Sequence, residues 1–269
     1  MFARWRARIG TPPVYWWEPR GRPKHGFGRN FGDELNPWLF ERIKGFTPRK
    51  AKPTSSGKTL AIGSVLHLAH PGDIVWGSGL NGKLRDDRGG IILPSAPAQV
   101  DFRAVRGPLT RDLLLQAGAD VPPVYGDPAL LLRQFFAPLA DSERRGTLII
   151  PHYTDYADTC AALPDDPDLR IMRVDAPVEA IVDAINGSAR VLTTALHGII
   201  AAEALGVPVT FFRMRSVETL FKYEDYFAGT GRSLTAPPNG LQAALDGPTL
   251  PEWMVPEPLT RGLLETCPF

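Results

Sequence analysis

Cysteine is scarce in this chain and long apolar runs are missing. The two cysteines, Cys160 and Cys267, have no metal-ligand spacing and no companion histidine cluster. That argues against a zinc site and against a disulfide framework. No run of about 18 apolar residues occurs, so no membrane-spanning helix is expected, and the N-terminus lacks the apolar centre of a secretion signal. A cytoplasmic location is the expectation. Nucleophile elbow, Walker loop and paired-carboxylate signatures are also missing. What remains as candidate chemistry is cationic and imidazole-based, suited to anionic substrates and developing negative charge, with phosphate as ligand or leaving group.

Charge is nearly balanced overall, at +1, but unevenly placed: residues 1–58 hold thirteen Lys and Arg against four Asp and Glu, or +9, which leaves −8 for the rest. The asymmetry predicts an anionic partner for the front of the molecule, a lipid surface or a phosphorylated substrate. Phe2, Trp5, Tyr15, Trp16 and Trp17 interleave with Arg4, Arg6, Arg8 and Arg20, a mixture suited to a headgroup layer. Peripheral membrane contact through residues 1–20 is therefore an expectation, with Pro12 and Pro13 limiting any helix there to the first ten residues or so. Core tryptophans with solvated arginines are the ordinary alternative. Nucleic acid is not expected, because no recognition fold is visible and most of the chain is acidic.

The length fits two ordinary domains. Short apolar strands are predicted at residues 60–62, 74–76, 104–106, 124–125, 148–150, 169–174, 191–194 and 207–212. Helices are predicted at 108–117, closed by Gly118, at 128–134 after an Asp127 N-cap, at 178–185 and from Leu196. The Lys/Pro/Ser stretch 47–58 reads as an exposed loop. Alternating strands and helices imply parallel sheets with covered faces. Polar residues 138–146 then divide the chain into domains 1–140 and 141–269 with a cleft between them.

The most informative segment is residues 190–207. A strand runs into a helix in which only His197 and Glu203 are polar. Such a helix is buried, yet its first turn carries an imidazole where backbone N–H groups favour anions, just beyond a strand's carboxyl end. A core histidine bonded to backbone is the competing reading. Elsewhere, the glycine-rich loop 26–32 feeds a helix starting near Asp33, which is itself an N-cap candidate. The cluster Gly77-Ser78-Gly79-Leu80-Asn81-Gly82-Lys83 follows a strand and is read as a ligand-facing loop or a plain turn. Arg106, at a predicted strand end, can grip a carboxylate or phosphate bidentately, with Arg103 structural. His152 also falls at a strand end. Residues 221–232 place Lys222, Tyr223, Asp225, Tyr226 and Arg232 in one loop-like segment suited to a sugar and an anion.

The motifs NFGDEL (30–35), GSVLH (63–67), DIVWGSGLNGK (73–83), RAVRGPLTRDLL (103–114), VYGDPALL (124–131), LHG (196–198) and FKYEDYFAGTGR (221–232) together resemble the polysaccharide pyruvyl transferase family, most of all its exopolysaccharide, xanthan-type ketal pyruvate transferases. The resemblance implies a GT-B-like α/β fold of two Rossmann-type domains. It also implies transfer of a pyruvyl group from phosphoenolpyruvate to two hydroxyls of a sugar on a lipid-linked oligosaccharide or polysaccharide, giving a cyclic ketal and phosphate; no cofactor is expected, and no ligand cluster in the sequence suggests a metal. His197 is then general acid or base, or a phosphate-binding donor, and Arg106 a donor ligand. Asn30, Asp33, Ser78, Asn81, His152, Lys222 and Arg232 are substrate-binding candidates. The family's usual arginine two residues before the histidine is Ala195 here, so either the cation comes from elsewhere, with Lys222, Arg232 and Arg213 as candidates, or the donor is held differently. A GT-B glycosyltransferase using a nucleotide sugar, relying on the HGIIAAEALGVP segment, and a noncatalytic carbohydrate-binding protein of the same fold are the alternatives.

Overall fold

The computed structural model describes residues 11–18, 26, 28–214, 219–249 and 253–268. Residues 1–10 and 19–25, which carry most of the expected membrane contact, lie outside them. The fold is mixed α/β, with two parallel sheets consistent with two Rossmann-like domains. The first sheet is built from β1 (Pro13–Tyr15), β2 (Arg49–Lys50), β3 (Thr59–Leu60), β4 (Ile74–Trp76) and β5 (Asp101–Ala104), in the order β2-β1-β3-β4-β5. Helices α1 (Phe31–Lys44) and α2 (Pro108–Gln116) belong to this part of the chain. The second sheet, in the order β7-β6-β8-β9, contains β6 (Thr147–Ile150), β7 (Leu169–Ile171), β8 (Arg190–Thr193) and β9 (Val209–Phe211). Its connections carry α3 (Tyr156–Ala161), α4 (Val178–Asn186) and α5 (Leu196–Ala204), and α6 (Phe221–Gly229), α7 (Leu241–Asp246) and α8 (Glu257–Glu265) follow.

Local sequence accounts for most of these elements. In α4 the buried positions Val178, Ile181, Val182 and Ile185 recur at helical spacing and form one apolar stripe. Helix α5 is buried along nearly its whole length, as its apolar composition requires. Strand β6 is buried at all four positions, the pattern of a parallel strand covered on both faces. Helix α2 opens on Pro108, and Gly118 beyond its end takes φ +82°, a conformation that favours glycine.

Each sheet reverses its winding once, between β1 and β3 in the first and between β6 and β8 in the second. Such switch points leave a crevice beyond the carboxyl ends of the strands, and the two crevices face each other. The sheets are not independent bodies. One apolar cluster includes Val14, Leu39 and Trp76 from the first and Ile150, Ile199 and Tyr223 from the second. Helix α6 packs on α2, α8 packs on the 3-10 helix Pro128–Gln134, and the Trp76 indole donates to the Leu263 carbonyl at 2.8 Å. A division at residue 140 therefore separates the sheets but not the helices that close on them.

Several expectations are corrected. Residues 221–232 are not a loop: α6 buries Lys222, Tyr223, Asp225 and Tyr226, a mixed polar and aromatic set that conceals the helical period. The stretch 47–58 contributes edge strand β2 and ends in Lys58, fully buried against Asp73 at 2.5 Å. Strand β5 ends at Ala104, and Val105 makes only a single bridge to Tyr125. Residues 128–134 form a 3-10 rather than an α-helix. Tyr15 and Trp16 are buried with β1, and Trp17 lines the cleft described below, so these aromatics serve the interior rather than a headgroup layer.

Candidate active site

The facing switch points enclose a cleft of about 200 Å³. Its first wall comes from Trp17, just past β1, and from Gly63, Ser64 and Val65, past β3. The second comes from Ile150, His152 and Tyr153, at and past the end of β6, and from Ala195 to Gly198, where β8 becomes α5. Two helix N-termini open into this space, since Phe31, Gly32 and Asp33 of α1 also line it. Neither Asn30 nor Ala195, at the two N-cap positions, makes a side-chain cap. Two positive helix ends thus meet in one cleft, a setting that stabilises anions.

The first turn of α1 is anchored by an unusual pair. Pro37 has no N–H to give to the Asp33 carbonyl, and the Asn36 amide supplies a donor there at 3.1 Å. The same amide donates to the Ile62 carbonyl at 2.9 Å, while Asn36 Oδ1 accepts from Ile62 N at 2.9 Å. This clamp holds the start of α1 against the chain leaving β3 and fixes Asp33 beside Gly63. Asp33 is 6% exposed. Burial pushes its pKa up to about 6, against the opposing effects of a 2.6 Å hydrogen bond from Asn30, the nearby His197 and the Trp17 backbone amide. A carboxyl group tuned in this way can exchange protons near neutral pH.

His197 sits in the first turn of α5 and crosses to α1. A Cβ on Gly32 would overlap the imidazole, with Nδ1 the nearest atom, so the contact requires glycine. On α5 itself, a Cβ at Gly198 would strike Thr193 Oγ1, so the second glycine of this region lets the helix close onto the end of β8. The far side of the ring faces Asp127, whose Oδ2 lies 3.5 Å from Nε2. Asp127 is 1% exposed, and its Oδ1 caps the 3-10 helix by accepting from Ala129 N at 2.9 Å.

The cleft collects Asn30, Asp33, Asn81, His152, His197 and Lys222. His152 is held by Thr194 Oγ1, which accepts from its backbone N at 2.8 Å, and by Thr154 Oγ1 at 2.7 Å from Nδ1. Thr194 in turn donates to Asp155 and accepts from Tyr223 at its carbonyl, both at 2.7 Å, so the ends of β6, β8 and the start of α6 form one unit. Of the three cations considered as replacement for the family arginine, only Lys222 lines the cleft.

Arg106 does not line it. The guanidinium is 1% exposed, paired with Asp225 at 2.9 Å, and donates to Ser64 Oγ at 2.8 Å and the Leu80 carbonyl at 2.7 Å. It lies beneath the cleft and supports Ser64 from below. Ser78 is fully buried and donates to the Gly63 carbonyl at 2.9 Å. In that glycine cluster, a Cβ at Gly79 would strike the Arg106 guanidinium and one at Gly82 would strike Phe221. These glycines admit protein neighbours, and Asn81 alone of the cluster reaches the cleft. Arg232 makes a double hydrogen bond to Glu203, at 2.7 and 2.8 Å, at the other end of α5. Glu203, the acidic residue of the nucleotide-sugar alternative, is thereby occupied and also accepts from Tyr226 at 2.5 Å. Asp127 is the residue of this neighbourhood that sequence reasoning treated only as a helix cap. Its nearness to His197 depends on two segments far apart in the chain.

Among the described residues no helix is long and apolar enough to cross a membrane, and no three His, Cys, Asp or Glu side chains gather as a metal site. The chain is 30% identical over 223 residues to the succinoglycan biosynthesis protein ExoV of Rhizobium meliloti, covering 79% of this chain and 63% of that protein. It is 28% identical over 184 residues to the uncharacterized protein L143 of Acanthamoeba polyphaga mimivirus, covering 63% and 59%. It therefore spans less than two thirds of either relative's length. The polysaccharide pyruvyl transferase family model matches residues 56–215, a span that holds the 63–65 turn, Asp127, His152 and the His197 helix. The chain belongs to the polysaccharide pyruvyl transferase family.

Proposed function

We propose that this cleft transfers a pyruvyl group from phosphoenolpyruvate to two hydroxyls of one sugar in an exopolysaccharide or its lipid-linked precursor, releasing phosphate and leaving a cyclic ketal. The observation that carries the proposal is the meeting of two helix N-termini with Asp33, His197 and Lys222 in one cleft. The phosphate and carboxylate of the donor need such a cationic, N–H-rich setting. The vinyl carbon needs a proton donor, and Asp33, raised to about 6, keeps a protonated fraction near neutral pH that an ordinary carboxyl group would not.

In this reading Asp33 delivers a proton to the methylene carbon, which becomes the methyl group. The first sugar hydroxyl adds to C2 and gives its proton to His197. Phosphate then leaves C2 and takes the His197 proton. The second hydroxyl adds to C2, closes the ring and returns a proton to Asp33. Each of the two hydroxyl protons is thus accounted for, one in the methyl group by way of Asp33 and one on phosphate. Trp17 and Tyr153 both line the cleft, with stacked rings 5.9 Å apart, and offer apolar faces to the acceptor sugar. Residues 1–10, with Arg4, Arg6, Arg8 and Trp5, would bring the enzyme to the membrane where a lipid-linked acceptor lies.

The test is incubation with phosphoenolpyruvate and a panel of soluble and lipid-linked oligosaccharides. Acceptor-dependent phosphate release supports the proposal. Consumption of nucleotide sugars, with phosphoenolpyruvate untouched across the panel, would replace it with glycosyl transfer.

A further inference from the structure

We infer that Asp127 is a positioning residue for His197, fixing the imidazole with its proton on Nε2 and leaving Nδ1 as the nitrogen that exchanges protons on the cleft side. The inference builds on the proposed transfer chemistry, but its structural half stands without it. His197 Nε2 is buried with no hydrogen-bond partner, and the nearest carboxylate oxygen is Asp127 Oδ2 at 3.5 Å. A buried imidazole N–H facing a buried carboxylate is the arrangement that selects one tautomer and stabilises the imidazolium when it forms. Nδ1 then lies on the side of Gly32, a cleft-lining residue.

The two oxygens of Asp127 divide the work. Oδ1 caps the helix through Ala129 N, and Oδ2 faces the imidazole. The 3-10 helix that follows packs against α5, so the carboxylate and the histidine are held by rigid partners. The other charged or titratable groups around the ring are Asp33 on α1 and, sharing the cleft, Lys222 on α6 and His152 past β6. Behind Asp127 stands Tyr226, whose own pKa is raised well above its usual value by burial and by Glu203, with a smaller push from Asp127. Of these groups, Asp127 is the one the structure places against Nε2.

Asp127→Asn separates the two duties, because an asparagine oxygen keeps the cap while the charge facing Nε2 is gone. Nitrogen-15 spectra of histidine-labelled full chain, with the His197 signal assigned from His197→Gln, read the tautomer without substrate. The expected result is an Nε2–H tautomer in the native protein and a shift toward the Nδ1–H tautomer in Asp127→Asn, where the carboxylate that selects Nε2–H is gone. An Nδ1–H tautomer in the native protein, or an unchanged tautomer population in the variant, would overturn the assignment. With phosphoenolpyruvate and acceptor, kcat in Asp127→Asn should fall by about a hundredfold or more, with KM for the donor altered far less. Native kcat in the variant would also overturn it. If the spectra show the expected tautomer and shift but phosphoenolpyruvate is not turned over by the native protein, the Asp127–His197 assignment stands and the donor proposal falls.

Discussion

Gly32 and His197 touch across the cleft, and the contact exists because Gly32 has no side chain where the imidazole lies. One helix N-terminus supplies the space and the other supplies the ring. Gly32→Ala should displace His197 and separate the two helix ends. We expect a stability loss of about 1–3 kcal/mol, as in other overpacked interiors, together with near-complete loss of transfer. Thermal unfolding and the phosphate-release assay check both, and a fully active, equally stable alanine variant would contradict the contact.

Asp33 gives a prediction with a definite sign. Its pKa is raised in the folded chain from an ordinary carboxylate value to about 6, so the folded state holds the proton more tightly than the unfolded state. Below about pH 4 both states are protonated and Asp33 adds no penalty. Between about pH 4 and 6 the unfolded chain ionises while the folded chain keeps the proton, so stability falls across that window by about 3 kcal/mol and levels off above it, where the folded chain bears a buried carboxylate. Denaturant unfolding from pH 4.5 to 8 should show the difference between native protein and Asp33→Asn changing by that order, with the native protein losing stability as pH rises. A pH-independent difference would show that Asp33 is not buried as a neutral acid.

Arg106→Ala is expected to act on folding before it acts on donor binding. The Arg106–Asp225 pair is buried on both sides, and Asp225 also accepts from Thr110 N at 2.9 Å and Thr110 Oγ1 at 2.7 Å. Removing one partner of a buried pair leaves an uncompensated charge and costs about 3–5 kcal/mol. Stability measured by denaturant should fall by that amount. A stable Arg106→Ala variant with weakened donor affinity alone would return Arg106 to the role of donor ligand.

Lys222 lines the cleft, and the proposed transfer gives it the part of the cation expected at Ala195. Lys222→Met should raise the apparent KM for phosphoenolpyruvate about tenfold to a hundredfold, the scale of one charge-assisted hydrogen bond, and Lys222→Arg should recover part of the loss. Arg232→Met should instead lower stability through Glu203. Donor saturation curves for the three variants check this, and equal KM in Lys222→Met and native protein would exclude Lys222 as a donor ligand.

The parts of this site written in local patterns were legible from sequence. The run from β8 into α5 is apolar enough to mark a buried strand and helix, and His197 stands out within it. Asp33 and Asn30 could be placed near a helix start, although the helix opens at Phe31. Relationships between distant segments were not legible. That Gly32 makes room for His197, that Asp127 faces Nε2, and that the 77–82 glycines admit Arg106 and Phe221 depend on packing between elements remote in sequence. The apolar run up to Arg106 suggests a strand end at the cleft, but β5 ends at Ala104 and the Arg106 side chain turns into the interior. Helix α6 is hidden because its buried face carries Lys222, Tyr223, Asp225 and Tyr226, and the polar ends of Tyr223, Asp225 and Tyr226 are satisfied by partners the sequence does not display.

Pyruvyl transfer by this cleft is read out by running the reaction in deuterated water with phosphoenolpyruvate and an accepted oligosaccharide, followed by phosphorus and proton NMR and by mass spectrometry. Equal amounts of phosphate and of a ketal-linked pyruvate on the sugar are expected, with one solvent deuterium in the new methyl group. Phosphate release without a ketal, or a ketal whose methyl group carries no solvent deuterium, would contradict it.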